Sequence, residues 1–359
     1  MKIASIVGAR PQFIKLATLS REIRKKHQEI LIDTGQHYDA EMAANFYAEF
    51  HMPKPDHSLG IGSGSHAEQT GKMLIAIEKV LLSEKPAMVI VFGDTNSTIA
   101  GAMAAKKLGI PVAHVEAGLR SFDKEMPEEI NRIVTDHLST LLFCPTENPK
   151  NNLEREGITE GVFVVGDVML DALNDSRKAA AMHSTILQLL GVQPKEYQLL
   201  TCHRQSNTDI KENLEGILKG IAASGELTVF PAHPRTMKFL KEYDLDKNMP
   251  KNIIMIKPLG HMDTIWLIAN AKRILTDSGG MQKEAYVLGI PCITLRDTTE
   301  WVETINAGWN ILVGSDAEKI RKAIADFSPP KERPDLYGPG GANVRMAAVI
   351  DQFLSTHLS

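Results

Sequence analysis

The sequence predicts an α/β protein built from two Rossmann-like, doubly wound parallel-sheet domains that face one another across a cleft. Three observations predict it. The chain has 359 residues, too many for one ordinary core and enough for two domains of roughly 150–200 residues each. Short apolar runs alternate with helical patterns from end to end, the signature of parallel strands joined by crossover helices. These runs form two groups of six, and most of them stop in small, hydroxyl or charged residues. In open parallel sheets all carboxyl ends face one crevice, so polar groups far apart in sequence converge there.

In the first group the strands are expected at 2–7, 29–33, 87–92, 112–115, 141–144 and 162–165. In the second they are expected at 197–202, 227–231, 253–256, 273–275, 291–295 and 310–313. The first strand runs into Gly8-Ala9-Arg10-Pro11, the second into Thr34-Gly35-Gln36-His37, the third into Gly93-Asp94-Thr95-Asn96-Ser97 and the fourth into Glu116-Ala117-Gly118. Strands of the second group end at His203-Arg204, His233-Pro234-Arg235, Asp277-Ser278-Gly279-Gly280 and Arg296-Asp297-Thr298-Thr299-Glu300. The change of domain is expected between Gly166 and Leu190. This gives units at 1–170 and 171–342, with the final helical stretch at 343–359 packing back on the first. The glycine-rich pieces at 60–65 and 338–341 read as loops ahead of helices.

Composition removes several classes. Hydrophobic residues at 43% and charged residues at 23% are those of a soluble globular chain. No apolar run approaches a membrane span, and the start reads as a first strand rather than a signal peptide, so the protein is expected in the cytoplasm. A net charge of −4, with no basic run, offers nothing to a nucleic acid backbone. Cys144, Cys202 and Cys292 are scattered singly in apolar contexts, which implies buried thiols and neither disulfides nor structural zinc.

The stretch Leu275-Thr276-Asp277-Ser278-Gly279-Gly280-Met281-Gln282-Lys283-Glu284-Ala285 closes an apolar strand and opens a helix. Such a turn leaves backbone N–H groups unpaired at the positive end of the helix dipole, a seat for phosphate. Gly279 and Gly280 admit an anion where a Cβ would block it, and Ser278 adds a hydroxyl donor. Glu284, about one turn on, can accept from ribose hydroxyls. A plain capped turn is the competing reading. After the first strand, Gly8-Ala9-Arg10-Pro11-Gln12-Phe13-Ile14-Lys15 is not GxGxxG, and no Walker A sequence occurs. Arg10 and Lys15 instead put two cations at a helix start, suited to a diphosphate or an acidic group, against the alternative of solvated surface charge.

Three carboxylates follow strand ends of the first unit: Asp94, Glu116 and, in Glu125-Met126-Pro127-Glu128-Glu129, Glu128. Helix caps and solvated side chains are the commoner fate of such residues. Converging with His203 and His233 of the second unit, they are the material of general acid–base work. No HxxxH or HxH pair supports a metal site.

Taken together, GARPQFIK at 8–15, TGQH at 34–37, GDTNST at 93–98, HVEAGLRS at 114–121, MPEEINR at 126–132, HPR at 233–235, TDSGG at 276–280 and LRDTTE at 295–300 resemble the non-hydrolysing UDP-N-acetylglucosamine 2-epimerases. The resemblance implies two Rossmann-like domains in the GT-B arrangement, usually a homodimer, and interconversion of UDP-GlcNAc and UDP-ManNAc without NAD or metal. The route it implies is elimination of UDP to a 2-acetamidoglucal, followed by re-addition. On this resemblance Asp94, Glu116 and Glu128 share the acid–base work, with their individual roles open. Arg10, Lys15, His203, Ser278, Gly279 and Gly280 hold the diphosphate, Glu284 takes the ribose, and His233 and Arg235 lie at the substrate. His203 has a second possible role, carrying a proton at the departing phosphate. Gln36 and His37 resemble a segment that binds a second, activating UDP-GlcNAc in some members.

Three departures from the common pattern bear on the sugar. Trp301 replaces a basic residue after Thr299-Glu300, Lys283 stands where the family usually has Glu, and Ser206 replaces another typical Glu. The Trp301 and Lys283 changes, with GARPQFIK, resemble the branch acting on UDP-2,3-diacetamido-2,3-dideoxyglucuronate. An indole can pack on the added acetamide, and a relocated cation can meet the carboxylate. A GT-B glycosyltransferase and a non-catalytic nucleotide-sugar sensor are the alternatives from other classes.

Overall fold

The computed structural model describes residues 1–36 and 52–357. The chain divides into two compact units, Met1–Ala172 with Tyr337–Ser359, and Leu173–Leu336. Among the described residues the first unit holds β1 (Lys2–Val7), β2 (Gln28–Asp33), β3 (His57–Ser58), β4 (Met88–Phe92), β5 (Val112–Val115), β6 (Leu141–Cys144) and β7 (Val162–Val164). They form one parallel sheet in the order β3-β2-β1-β4-β5-β6-β7. The second unit holds β8 (Gln198–Thr201), β9 (Thr228–Pro231), β10 (Ile253–Ile256), β11 (Arg273–Thr276), β12 (Cys292–Thr294) and β13 (Asn310–Leu312). Its sheet, also parallel, runs β10-β9-β8-β11-β12-β13.

Both sheets are doubly wound, as the alternation of apolar runs and helical patterns predicts. Their order reverses between β1 and β4 and between β8 and β11, and at such a switch point the carboxyl ends open a crevice for ligands. The central strands are apolar because both faces are covered: all five residues of β4 are fully buried. One strand is an addition to the sequence reading. β3 pairs Ile32 with His57 and Asp33 with Ser58, and two residues are too few to carry any periodicity.

The helix Ala342–His357 belongs to the first unit because its apolar stripe needs a partner. Met346, Ile350 and Leu354 recur every fourth residue and share a core cluster with Leu16, Leu19 and Ile23 of the helix Arg10–Ile23. Polar contacts fix the register. Asp171 accepts the amides of Gly341 at 2.5 Å and Asn343 at 2.9 Å. Asp351 meets Lys26 at 2.5 Å and His27 at 2.7 Å.

All three cysteines are free and buried. Burial pushes the Cys144 and Cys292 thiols up to about 12 and the Cys202 thiol well above its usual value. The thiolate is the reactive form. Native protein is therefore expected to consume almost no Ellman reagent at pH 8, and unfolded protein to consume three equivalents per chain. Rapid reaction of a native thiol would contradict the burial.

Candidate functional site

In the first unit one side chain ties together the turns that follow β1 and β4. Gln12, buried on the first helix, accepts the amides of Gly8 at 2.8 Å and Ala9 at 2.9 Å. Its other end donates to the Phe92 carbonyl at 2.7 Å and the Thr95 hydroxyl at 2.9 Å, fixing the β4 turn. On that frame stand two carboxylates, each with its own cation. Asp94 accepts from Arg132 at 2.6 Å, and its carbonyl takes the Asn131 amide at 2.9 Å. Glu116 is ion-paired with Lys15, a buried lysine.

Backbone strain marks the same place. Glu116 has φ +68°, a left-handed conformation that costs a non-glycine residue of order 1–3 kcal/mol. Gly93, immediately before Asp94 in sequence, has φ +63°, and its open side faces Lys15 Nζ and Glu116 Oε2. Arg132 also reaches Glu129 at 2.8 Å. Burial alone would lower the pKa of this guanidinium, but the Asp94 and Glu129 carboxylates outweigh it and raise it.

Glu128 and Glu129 separate clearly. Glu129 is buried and accepts the amides of Ser121 and Phe122, both at 2.9 Å, clasping a loop in which Phe122 takes φ +61°. Burial pushes its pKa up, and those amides with Arg132 outweigh this and bring it down. Glu128, in the first turn of the helix Pro127–Leu138, is half-buried and closes no such clasp.

In the second unit the corresponding frame is a single carboxylate. Asp277, fully buried, accepts the amides of His203 at 2.9 Å and Arg204 at 2.9 Å, together with the Asn207 side chain at 3.1 Å. Its other oxygen lies 3.3 Å from His203 Nδ1. Two strand ends flanking the switch point, β8 and β11, are thereby locked together. The helix Gly279–Leu288 follows with Ser278 as its cap. Gly280 is exposed, and a Cβ there would meet only Ser278 Oγ at 4.0 Å, whereas buried Gly279 lies against the Glu300 carboxylate, so the helix N-terminus is open on its Gly280 side.

His203 and His233 lie with ring centroids 5.6 Å apart. His233 caps the helix Pro234–Glu242, its Nδ1 accepting the Arg235 amide at 3.1 Å. Burial, then the neighbouring His203 and Arg235, lowers its pKa. Arg235 itself is spoken for: its guanidinium pairs with Asp209, Nε to Oδ1 at 3.0 Å. Lys283 lies over the Trp301 ring, 5.0 Å from its centroid. The loop that carries Trp301 is anchored by Gln282, which accepts from Thr299 at 2.6 Å and Asn310 at 3.1 Å. Glu284 stands half-buried one turn into the helix.

The structure thus brings Asp94, Glu116 and Lys15 to one sheet edge, and His203, His233, Ser278, Gly279 and Gly280 to the other. Gln36 accepts the Ser97 amide at 3.0 Å and hydroxyl at 2.6 Å, beside Gly8. His37 and the Arg10 side chain lie outside the described residues. Sequence reasoning did not single out Arg132, Glu129 or Gln12, and it read Asp277 only as part of a turn. Arg132 and Glu129 sit in the MPEEINR motif, the signal that could have found them.

The chain matches the family described as UDP-N-acetylglucosamine 2-epimerase over residues 21–351. A UDP-N-acetylglucosamine 2-epimerase homolog from Methanococcus maripaludis is 55% identical, covering 98% of this chain and 99% of its own. The UDP-2,3-diacetamido-2,3-dideoxy-D-glucuronate 2-epimerase of Pseudomonas aeruginosa is 44% identical, with the same coverage of 98% and 99%. Among solved structures, the Methanocaldococcus jannaschii UDP-GlcNAc 2-epimerase in complex with UDP-GlcNAc and UDP is 47% identical with a TM-score of 0.81, covering 98% of this chain and 100% of that one.

Proposed function

The chain belongs to the UDP-N-acetylglucosamine 2-epimerase family, and we propose that it inverts C2 of a UDP-linked 2-acetamido sugar by eliminating UDP and adding it back. The observation that supports this most is the pair of carboxylates, Asp94 and Glu116, on adjacent strand ends with a cation apiece. Inversion at C2 needs one group to take the proton from one face and another to return it to the opposite face. As the C2–H bond breaks, C1=C2 forms and the C1–O bond to UDP breaks. A proton then returns to C2, and a UDP oxygen re-adds at C1. Charge grows on the departing diphosphate, and the Gly279 and Gly280 amides, the Ser278 hydroxyl and His203 are the donors suited to stabilise it, the Ser278 amide being taken by Thr276 Oγ1 at 2.9 Å. Glu128 and Glu284 complete the reading, as a third acid–base group and a ribose acceptor.

For the sugar itself, Lys283 stacked on Trp301 favours UDP-2,3-diacetamido-2,3-dideoxyglucuronate over UDP-GlcNAc. An indole beside a fixed ammonium offers an apolar face for a second acetamide and a charge for a carboxylate. The test is incubation with each sugar separately in D₂O. Deuterium at C2 together with the epimer supports the reading. Turnover only with an added acceptor would instead indicate a glycosyltransferase, and binding without exchange a sensor. Lys283→Glu is expected to lower kcat/KM for the uronate about tenfold more than for UDP-GlcNAc. A wild-type enzyme faster on UDP-GlcNAc would reverse the assignment of the sugar.

A further inference from the structure

Beneath the two carboxylates lies a buried charged cluster that the reaction outlined above does not use. His114, on β5 and fully buried, has both ring nitrogens in short hydrogen bonds: Nδ1 to Asp136 Oδ1 at 2.7 Å and Nε2 to the Gly93 carbonyl at 2.7 Å. A backbone carbonyl only accepts, so Nε2 carries a proton. Asp136 is also an acceptor here. Its other oxygen takes the Arg120 guanidinium at 2.7 Å and the Gly118 amide at 3.1 Å, the ion pair and charge-assisted bonding of a carboxylate. Nδ1 must then be a donor too. Either neutral tautomer would aim a nitrogen lone pair at an acceptor oxygen within hydrogen-bond distance.

We propose that His114 is a positioning residue, held as a buried imidazolium, that with Asp136 staples together the two loops carrying Asp94 and Glu116. The inference rests on the acid–base reading of those two carboxylates. The Gly93 carbonyl belongs to the peptide plane that joins Gly93 to Asp94, so the Nε2–H bond sets where Asp94 begins. The Gly118 amide lies two residues beyond Glu116, and His114 two residues before it. Glu116 is thus bracketed by the ring on one side and its counter-ion on the other, which holds its strained φ in place.

Charge closes within the cluster. Arg120 is bidentate to Glu156, with both contacts at 2.7 Å, so two cations face two carboxylates. Arg120 and Asp136 are shut off from solvent at 1% and 0% side-chain exposure. The strand beside β5 adds only Cys144, whose thiol is kept protonated by burial and by Asp136. Beyond the cluster, the Lys15–Glu116 pair is balanced in itself. A buried network satisfied at every member fixes one geometry.

The test uses the full chain labelled with ¹⁵N-histidine, with His114 assigned by the signal lost in His114→Phe. In the wild type both His114 nitrogens are expected to show protonated-type shifts at neutral pH, with and without UDP. In Asp136→Asn, the ring is expected to fall to one protonated nitrogen. A single protonated nitrogen in the wild type would overturn the imidazolium. For function, His114→Phe is expected to lower kcat about 100-fold, the size of effect that a misplaced catalytic group produces, with KM changed less than about threefold. Unchanged kcat in folded His114→Phe would overturn the positioning role, and if that variant does not fold, Asp136→Asn is read against the same kcat criterion. Absence of C2 exchange in the wild type would instead defeat the epimerase reading, leaving the nitrogen shifts to decide the charge state alone.

Discussion

Asp94→Asn is expected to slow C2 deuterium exchange by about a thousandfold, the range in which a lost general acid or base falls. UDP affinity should stay within about twofold, because diphosphate recognition is assigned to amides and His203 in the other unit. The substitution is nearly isosteric, and its effect is therefore specific. An Asn oxygen can still accept from Arg132, whose bond to Asp94 is 2.6 Å. The Asp94 carbonyl still takes the Asn131 amide at 2.9 Å. What disappears is the charge that accepts a proton. Glu129 shares Arg132 but is buried, whereas the Asp94 side chain is 33% exposed. Of the two partners of that guanidinium, only Asp94 can meet a substrate. Exchange and epimer formation should fall together, measured by NMR in D₂O with each UDP-sugar. Retention of exchange within about tenfold of the wild type would remove Asp94 from proton transfer.

The fold was legible because it rests on local signals. Fully covered parallel strands are apolar throughout, as in Met88–Phe92, and such runs stand out between helical patterns. Among the described residues only β3 escaped, for lack of length. The site was less legible, because its side chains are oriented by partners far away in sequence. Glu128 and Glu129 are neighbours in the chain, but one helical step of 100° points them in different directions, and Glu129 ends in a clasp on Ser121 and Phe122. Arg235 looks like a free cation after His233-Pro234, and only the fold shows Asp209 beside it. The staple at His114 is invisible in HVEAGLRS, since both of its partners come from other elements. Lys283 and Trp301 carried a signal only as departures from a family pattern, and their stacking appears once the helix and the loop are placed.

Asp277→Ala tests the other half of the site and is expected to cost about 3 kcal/mol of stability, the scale of leaving several buried donors unpaired. The carboxylate is fully buried and gathers the His203 and Arg204 amides with the Asn207 side chain. Asn207 donates its side-chain amide both to Asp277, at 3.1 Å, and to the Leu295 carbonyl, at 2.9 Å, so losing the carboxylate leaves it only the second of these partners. Alanine therefore frees the turn after β8 from the turn after β11. His203 then has no Nδ1 partner and no fixed backbone, and UDP affinity is expected to fall at least about tenfold, a loss of roughly 1.4 kcal/mol. Asp277→Asn keeps one acceptor oxygen and should fall between alanine and wild type in both measurements. Urea unfolding followed by fluorescence and titration calorimetry with UDP separate the two effects. If alanine unfolds at the wild-type midpoint, the pin is not structural. If it also binds UDP as tightly, then the phosphate seat does not depend on where His203 is held, and the donor set assigned to the departing diphosphate must be redrawn around the helix N-terminus alone.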